Sequence, residues 1–210
     1  MVKRIKKVTK GKVIRERKKV IVVGTEGNNK TEMLYLKELE KKQNRYHFIF
    51  AQGNETDPVK IVRNTAKRAE EEELTYKQGD HAVSIFDLDA DEEKRIQLKA
   101  AKKEADKKHI ELLTSNPSFE VWYLEHFGFT TKPFQNSEAV IRELKKRLPG
   151  YRKNHCDFEM LYPLTIFAIE NCEKLDKYHG DNQAADEFAN PRTDIYKLIK
   201  GIMPRGGEEK

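Results

Sequence analysis

Residues 20–36 read VIVVGTEGNNKTEMLYL, and the fold turns on how this stretch is parsed. Positions 20–24 are apolar and β-branched up to the closing glycine, Gly24. A run without alternation predicts a strand buried on both faces, as in the interior of a parallel sheet. Residues 30–42 then place Leu34, Leu36 and Leu39 among Glu and Lys, which predicts a helix. Between strand and helix stands a carboxylate, Glu26, followed at once by Gly27. Glycines around an acid favour a tight turn whose backbone lies close to a ligand.

The same grammar continues outward. Residues 46–51 (YHFIFA) predict a second strand. Thr56-Asp57-Pro58 predicts a helix start, with a capping side chain ahead of a proline in the first turn, and that helix is expected to run to about residue 76. Gln78-Gly79-Asp80 breaks it. Residues 82–88 (AVSIFDL) predict a third strand, 91–108 a very polar helix, and 110–114 (IELLT) a fourth strand. Strands alternating with helices imply an α/β fold. We expect a mostly parallel, Rossmann-like sheet of about four strands flanked by helices, joined by right-handed crossovers. The remainder reads as helices over 118–127, 137–148, 158–178 (interrupted near Pro163) and 193–202, with loops over 130–136, 150–157 and 180–190. The expected organisation is a basic N-terminal arm (1–19), an α/β core (20–130) and a helical C-terminal extension (131–210) packed on it.

Of the 210 residues, 36% are charged and 37% apolar, and no apolar run is long enough to cross a membrane. No secretory signal pattern opens the chain, and Cys156 and Cys172 are the only cysteines, so a cytoplasmic, reducing location is expected. The net charge of +6 is uneven: residues 1–20 hold ten Lys or Arg and one acid, Glu16. Such an arm is the electrostatic footprint of a phosphate-backbone binder, with Lys18 and Lys19 at its inner end, and is equally the composition of a solvated tail.

In an open parallel sheet, ligands bind beyond the carboxyl ends of the strands. Three predicted strand ends carry acids or amides: Glu26, the run Asp87-Leu88-Asp89, and the run from Asn116 to Glu120. If the chain stays extended, the spacing of two turns the Asp87 and Asp89 carboxylates the same way, and Asp91 adds a third. Crowded carboxylates repel unless a cation lies between them. Hard oxygen ligands suit Mg²⁺ or Mn²⁺, whereas His155, Cys156, Cys172 and His179 show no zinc-ligand spacing. The bland alternative for Asp87-Leu88-Asp89 is a capped, acidic start to the following helix.

Gly24–Thr31 also nearly fits the phosphate-binding loop G-x-x-x-x-G-K-[ST]. Asn29 replaces its second glycine, and Glu26 sets a negative charge in a loop meant for polyphosphate. A nucleotide hydrolase is therefore the weaker reading.

Glu26 in T-E-G after a buried strand, followed later by a strand ending in D-L-D, resembles the Toprim domain of topoisomerases, primases and several nucleases. Four segments more closely resemble the RloB family of bacterial defence proteins: VIVVGTEGNNKTEMLYL, SIFDLDADE, TSNPSFEVWYLEHF and NPRTDIYKLIKGI. The chain departs from that family's first motif, C-E-G-x-x-T-E, in having Thr25 in place of the cysteine and one extra residue before Thr31-Glu32. The resemblance implies a Toprim-like fold, a divalent-metal site (Mg²⁺ or Mn²⁺), cleavage of DNA or RNA in phage defence, and a partner ATPase. Carried over residue by residue, it makes Glu26, Asp87 and Asp89 the catalytic and metal-binding acids. It also suggests Glu120 as a further ligand and Asn116 in the family's S-N-P-x-F-E-x-W motif as a substrate contact. Lys30, Lys94 and Arg95 are candidate phosphate contacts. Phe119, Trp122, Tyr123, Leu124 and Phe127 are expected to be the core face of a helix, and His126 to be structural. From a different class, the chain is a non-catalytic subunit that holds nucleic acid for an ATPase.

Overall fold

The computed structural model describes residues 17–27, 31–89, 92–182 and 188–203. Its centre is β1 (Lys19–Thr25), which pairs in parallel with β2 (Tyr46–Phe50) on one side and β3 (His81–Asp87) on the other. β4 (Glu111–Asn116) continues the parallel set beside β3. A two-residue strand, β5 (Arg192–Thr193), closes the edge antiparallel to β4, giving the order β2-β1-β3-β4-β5. The chain builds outward from β1 in one direction to β2 and in the other to β3 and β4. Their carboxyl ends therefore part at a topological switch point, where such sheets form a crevice.

The connecting helices are α1 (Thr31–Lys41), α2 (Pro58–Glu71) and α3 (Glu92–Lys108). Successive strand residues face opposite ways. Accordingly Ile21 and Val23 enter one core with Tyr35, Leu36, Trp122 and Ile199, while Val22 enters another with Ile61, Val62, Leu98 and Ala101. This two-sided burial is why the strand's sequence does not alternate.

After β4 come α4 (Glu120–Glu125), α5 (Ser137–Leu144), α6 (Phe158–Leu161), α7 (Thr165–Asn182) and α8 (Ile195–Ile202). A 3₁₀ turn at Tyr162–Leu164 separates α6 from α7, at the interruption that Pro163 predicts. Ile195, Ile199 and Ile202 of α8 are buried in the same core as Ile21 and Val23. The C-terminal extension thus shares the core and supplies the fifth strand.

The elements match the expected order, with local differences. α2 stops at Glu71 rather than near residue 76: Glu73 turns left-handed (φ 52), and the Thr75 amide donates to Asp80 Oδ2 (2.8 Å), drawing the chain off the helix axis. β4 runs on to Asn116, two residues past its predicted end. α7 continues to Asn182, into a stretch expected to be loop. β5 was not anticipated; two residues carry no periodicity to read.

Candidate functional site

The turn after β1 is pinned from both sides. A Cβ on Gly24 would lie 2.0 Å from Thr65 Oγ1, so only glycine lets α2 pack this closely. Thr65 Oγ1 in turn meets Ser84 Oγ of β3 at 2.9 Å. Gly27 has φ 44, a conformation that suits glycine, and its N–H donates to Glu55 O (2.8 Å). Glu26, held between them, directs its carboxylate at the end of β3, where the Asp87 backbone amide helps to stabilise its charge.

Past Asp87 the chain does not stay extended. The Leu88 amide donates to Ser115 O (2.9 Å) and the Asp89 amide to Pro117 O (2.8 Å), and Asp89 takes a left-handed conformation with φ 47. Asp is one of the few residues that tolerate it. The expectation that spacing alone aligns the two carboxylates is therefore corrected. Asp87 is buried and accepts the Phe119 amide at Oδ1 (2.8 Å), while Asp89 stands at the rim.

Lys94, from the first turn of α3, joins the rim. Its Nζ lies 2.7 Å from Asp89 Oδ2, 3.2 Å from Glu26 Oε2 and 3.2 Å from the carbonyl oxygen of Asp87. The acids of β1 and β3 thus meet through one ammonium.

Two more carboxylates stand behind them. Glu120, at the start of α4, is buried, with Ser118 Oγ donating to Oε2 (2.6 Å) and Tyr151 OH donating to Oε1 (2.8 Å). Glu32, in the first turn of α1, is buried as well. Burial pushes the Asp87 carboxyl well above the usual carboxylate range, and the charges of Glu32, Glu120, Glu26 and Asp89 push it the same way. Burial also raises Glu32 to about 7, helped by Glu120 and Glu26. Glu26 is raised by burial too, against the opposing pull of Lys94. Five acids from four parts of the chain feel one another here, with Lys94 against Glu26 and Asp89 and the charge of Lys153 acting on Glu32.

Other predicted residues lie elsewhere. Lys18 precedes and Lys19 begins β1, at the opposite end of the sheet; six residue steps put Lys19 roughly 20 Å from Thr25. Lys19 Nζ sits over the Tyr46 ring at 5.6 Å. Asn116 is buried, and its amide nitrogen donates to Phe188 O (2.7 Å) and Ala189 O (3.2 Å), tying down the approach to β5. Lys30 and Asp91 lie outside the described residues, as does most of the basic arm. Phe119, Trp122, Tyr123 and Leu124 are buried in the core, with Phe127 packed against it. His126 is buried with Nδ1 donating to Trp122 O (2.8 Å), and burial lowers its pKa to about 4.

The sequence reading missed Glu32 as a member of the acid group, along with Tyr151 and Ser118 as its donors. A signal for Glu32 was present: it lies three and four positions before Tyr35 and Leu36, on the stripe of α1 that is buried. Tyr151 sits in a loop, where no such stripe exists.

The family model for RloB-like protein matches residues 21–202, from the first buried strand to the last helix. The chain belongs to the RloB-like family. No curated protein and no solved structure matches it. The RloB-like region contains all five acids and Lys94, and leaves out the basic arm. Among the described residues, no helix is long and apolar enough to cross a membrane.

Also among the described residues, no three His, Cys, Asp or Glu side chains stand ready to grip one metal ion. The donor set nevertheless fits Mg²⁺ or Mn²⁺ in kind, since it is all carboxylate oxygen. Thiolate–imidazole chemistry is absent from this group.

Proposed function

We propose that this protein is a Toprim-type, divalent-metal-dependent phosphodiester hydrolase that acts on DNA or RNA in defence against phage, with Mg²⁺ or Mn²⁺ as cofactor. One observation carries the reading: acids from β1, α1, the end of β3 and α4 crowd together at the switch point of a parallel sheet, with Lys94 as the cation seated between Glu26 and Asp89. Structural acids are normally paired one to one. A group of carboxylates crowded from several elements repels itself unless a cation lies among them, and a cation-dependent site uses that repulsion.

Asp87 and Asp89 are the residues that would hold the ion, with Glu26 as a further ligand or as the group that orients and deprotonates the attacking water. Bound there, the ion would supply charge for the scissile phosphate and acidify water. Phe119 N–H fixes Asp87 in place, and Ser118 and Tyr151 fix Glu120, so the inner acids are preorganised by neutral donors. The basic arm would bind nucleic-acid backbone, which carries no sequence information. A partner ATPase and a cytoplasmic location complete the proposal.

The test is cleavage of a mixed DNA and tRNA panel with and without Mn²⁺, by wild type and by E26Q and D89N. Metal-dependent cleavage by wild type, lost in both variants with nucleic-acid binding kept, is the expected result. Binding without cleavage under every condition, with the partner ATPase present, would establish the non-catalytic subunit instead. Nucleotide turnover without cleavage would revive the phosphate-loop reading.

A further inference from the structure

Lys94 stands where a positive charge is needed, and its position is not explained by the helix that carries it. α3 begins at Glu92, so Lys94 falls in the first turn, where the helix dipole disfavours a cation. Its side chain is only a quarter exposed and reaches back across the crevice. There its ammonium touches oxygens from three residues: Glu26, Asp87 and Asp89. Glu26 lies 68 positions away in sequence, so this is a tertiary contact and not a helix-surface pair.

We propose that Lys94 is a tethered counter-ion that holds the acidic crevice together and that a divalent ion must displace before it can bind. The inference rests on the metal-dependent reading of the site and extends it by naming the residue that sets the ion's apparent affinity. An ion drawn to Glu26 and Asp89 is repelled by an ammonium seated on both, because like charges a few ångströms apart in a partly buried crevice oppose each other. Every ligand oxygen that Lys94 occupies must be released before an ion takes it. Apparent affinity falls by the fraction of molecules in which the seat is free. A seat occupied nine times in ten therefore weakens ion binding about tenfold. The long, flexible lysine stem can leave without moving the backbone, which a structural arginine fork would not do as readily.

The test uses the full chain, stripped with EDTA, as wild type, K94M and K94Q. Mn²⁺ is titrated and the free ion followed by electron paramagnetic resonance, and thermal melts are recorded in EDTA and in saturating Mn²⁺. The expected result is a dissociation constant about tenfold lower in both variants than in wild type. In EDTA the variants should melt below wild type, and saturating Mn²⁺ should close that gap. Wild type binding Mn²⁺ with the variants equal or weaker would overturn the role of Lys94 alone. That outcome, accompanied by weaker nucleic-acid binding in K94Q, would make Lys94 a phosphate contact instead. Absence of Mn²⁺ binding in all three proteins would overturn the metal reading itself, and this proposal with it. K94Q keeps a polar, hydrogen-bonding side chain, so the comparison stands even if K94M misfolds.

Discussion

Asp80 and Asp87 flank one strand, β3, and both are buried, yet the protein treats them in opposite ways. Asp80 accepts the Val20 amide (2.8 Å), the Thr75 amide (2.8 Å) and a two-pronged contact from Arg17 Nη2 (2.9 and 2.8 Å). Burial alone would raise its pKa, but those donors outweigh burial and hold it below the usual range. Asp87 has one amide donor at Oδ1 and four like charges around it, and is pushed well above the range. Burial does not distinguish a structural acid from a candidate functional one. The ratio of donors to like charges does. At the amino end of the sheet the acid is satisfied and fastens the start of β1 to β3. At the carboxyl end the acids crowd one another, with Lys94 seated between two of them.

The sharpest way to break this comparison is to neutralise each acid in turn. Asp87→Asn keeps an acceptor for the Phe119 amide and removes the charge. It should lower cleavage about a thousandfold or more, on the scale expected when a group that stabilises transition-state charge is lost. In EDTA the same variant should melt no lower than wild type, because it relieves repulsion. A folded pKa raised above the unfolded value contributes stability below about pH 4 that is lost as pH rises through the folded value. The pH-dependent melting of wild type in EDTA should therefore fall more steeply towards neutral pH than that of Asp87→Asn. A variant that cleaves normally, or that melts well below wild type, would erase the distinction between the two ends.

Asp80→Ala should do the reverse. It strands two partly buried backbone donors, the amides of Val20 and Thr75, and a loss of about 1–3 kcal/mol is expected in denaturant melts. Cleavage at permissive temperature should survive. The sign of its pH dependence is also opposite: the folded pKa is depressed, so the stabilisation is present above about pH 4 and is lost as pH falls through the folded value.

A smaller effect concerns a third buried acid that lies outside both groups. Glu125 is fully buried, neither carboxylate oxygen has a hydrogen-bond partner, and burial raises its pKa to about 8. Its raised value means that stability is lost as pH climbs from about 4.5 to about 8. Glu125→Gln should flatten that decline and raise stability at pH 8 by about 1–2 kcal/mol, read as a melting shift of a few degrees. Unchanged melting at pH 8 would mean that water or a neighbouring group already neutralises this carboxyl.

Much of the architecture was legible because it is written locally. The apolar run at 20–24 and the Asp57-Pro58 helix start each act over a few residues, and β1 and the start of α2 appear where those signals put them. Asp57 does cap α2, accepting the Lys60 amide at 3.1 Å. Glu26, Asp87 and Asp89 could be singled out because strand ends are where an open parallel sheet binds ligands. What failed were inferences needing long-range geometry. The aligned Asp87–Asp89 pair failed because the Leu88 and Asp89 amides donate hydrogen bonds to Ser115 O and Pro117 O, and Asp89 turns left-handed. The placement of Asn116, read as a substrate contact, is likewise set from afar: its amide nitrogen is bound by the segment before β5.

The sequence by itself determined that strands and helices alternate, that β1 is buried on both faces, and that acids stand at the carboxyl ends. Those properties follow from side-chain polarity, periodicity and local backbone preference. Only the tertiary structure decided that Glu32 and Glu120 join Glu26, Asp87 and Asp89, that Lys94 sits between Glu26 and Asp89, and that Lys18 and Lys19 lie at the far end. Those placements depend on which strands pair, in which register, and on how helices pack across them. Such choices are made by burial and hydrogen bonding summed over the whole molecule, and no short window of residues encodes them.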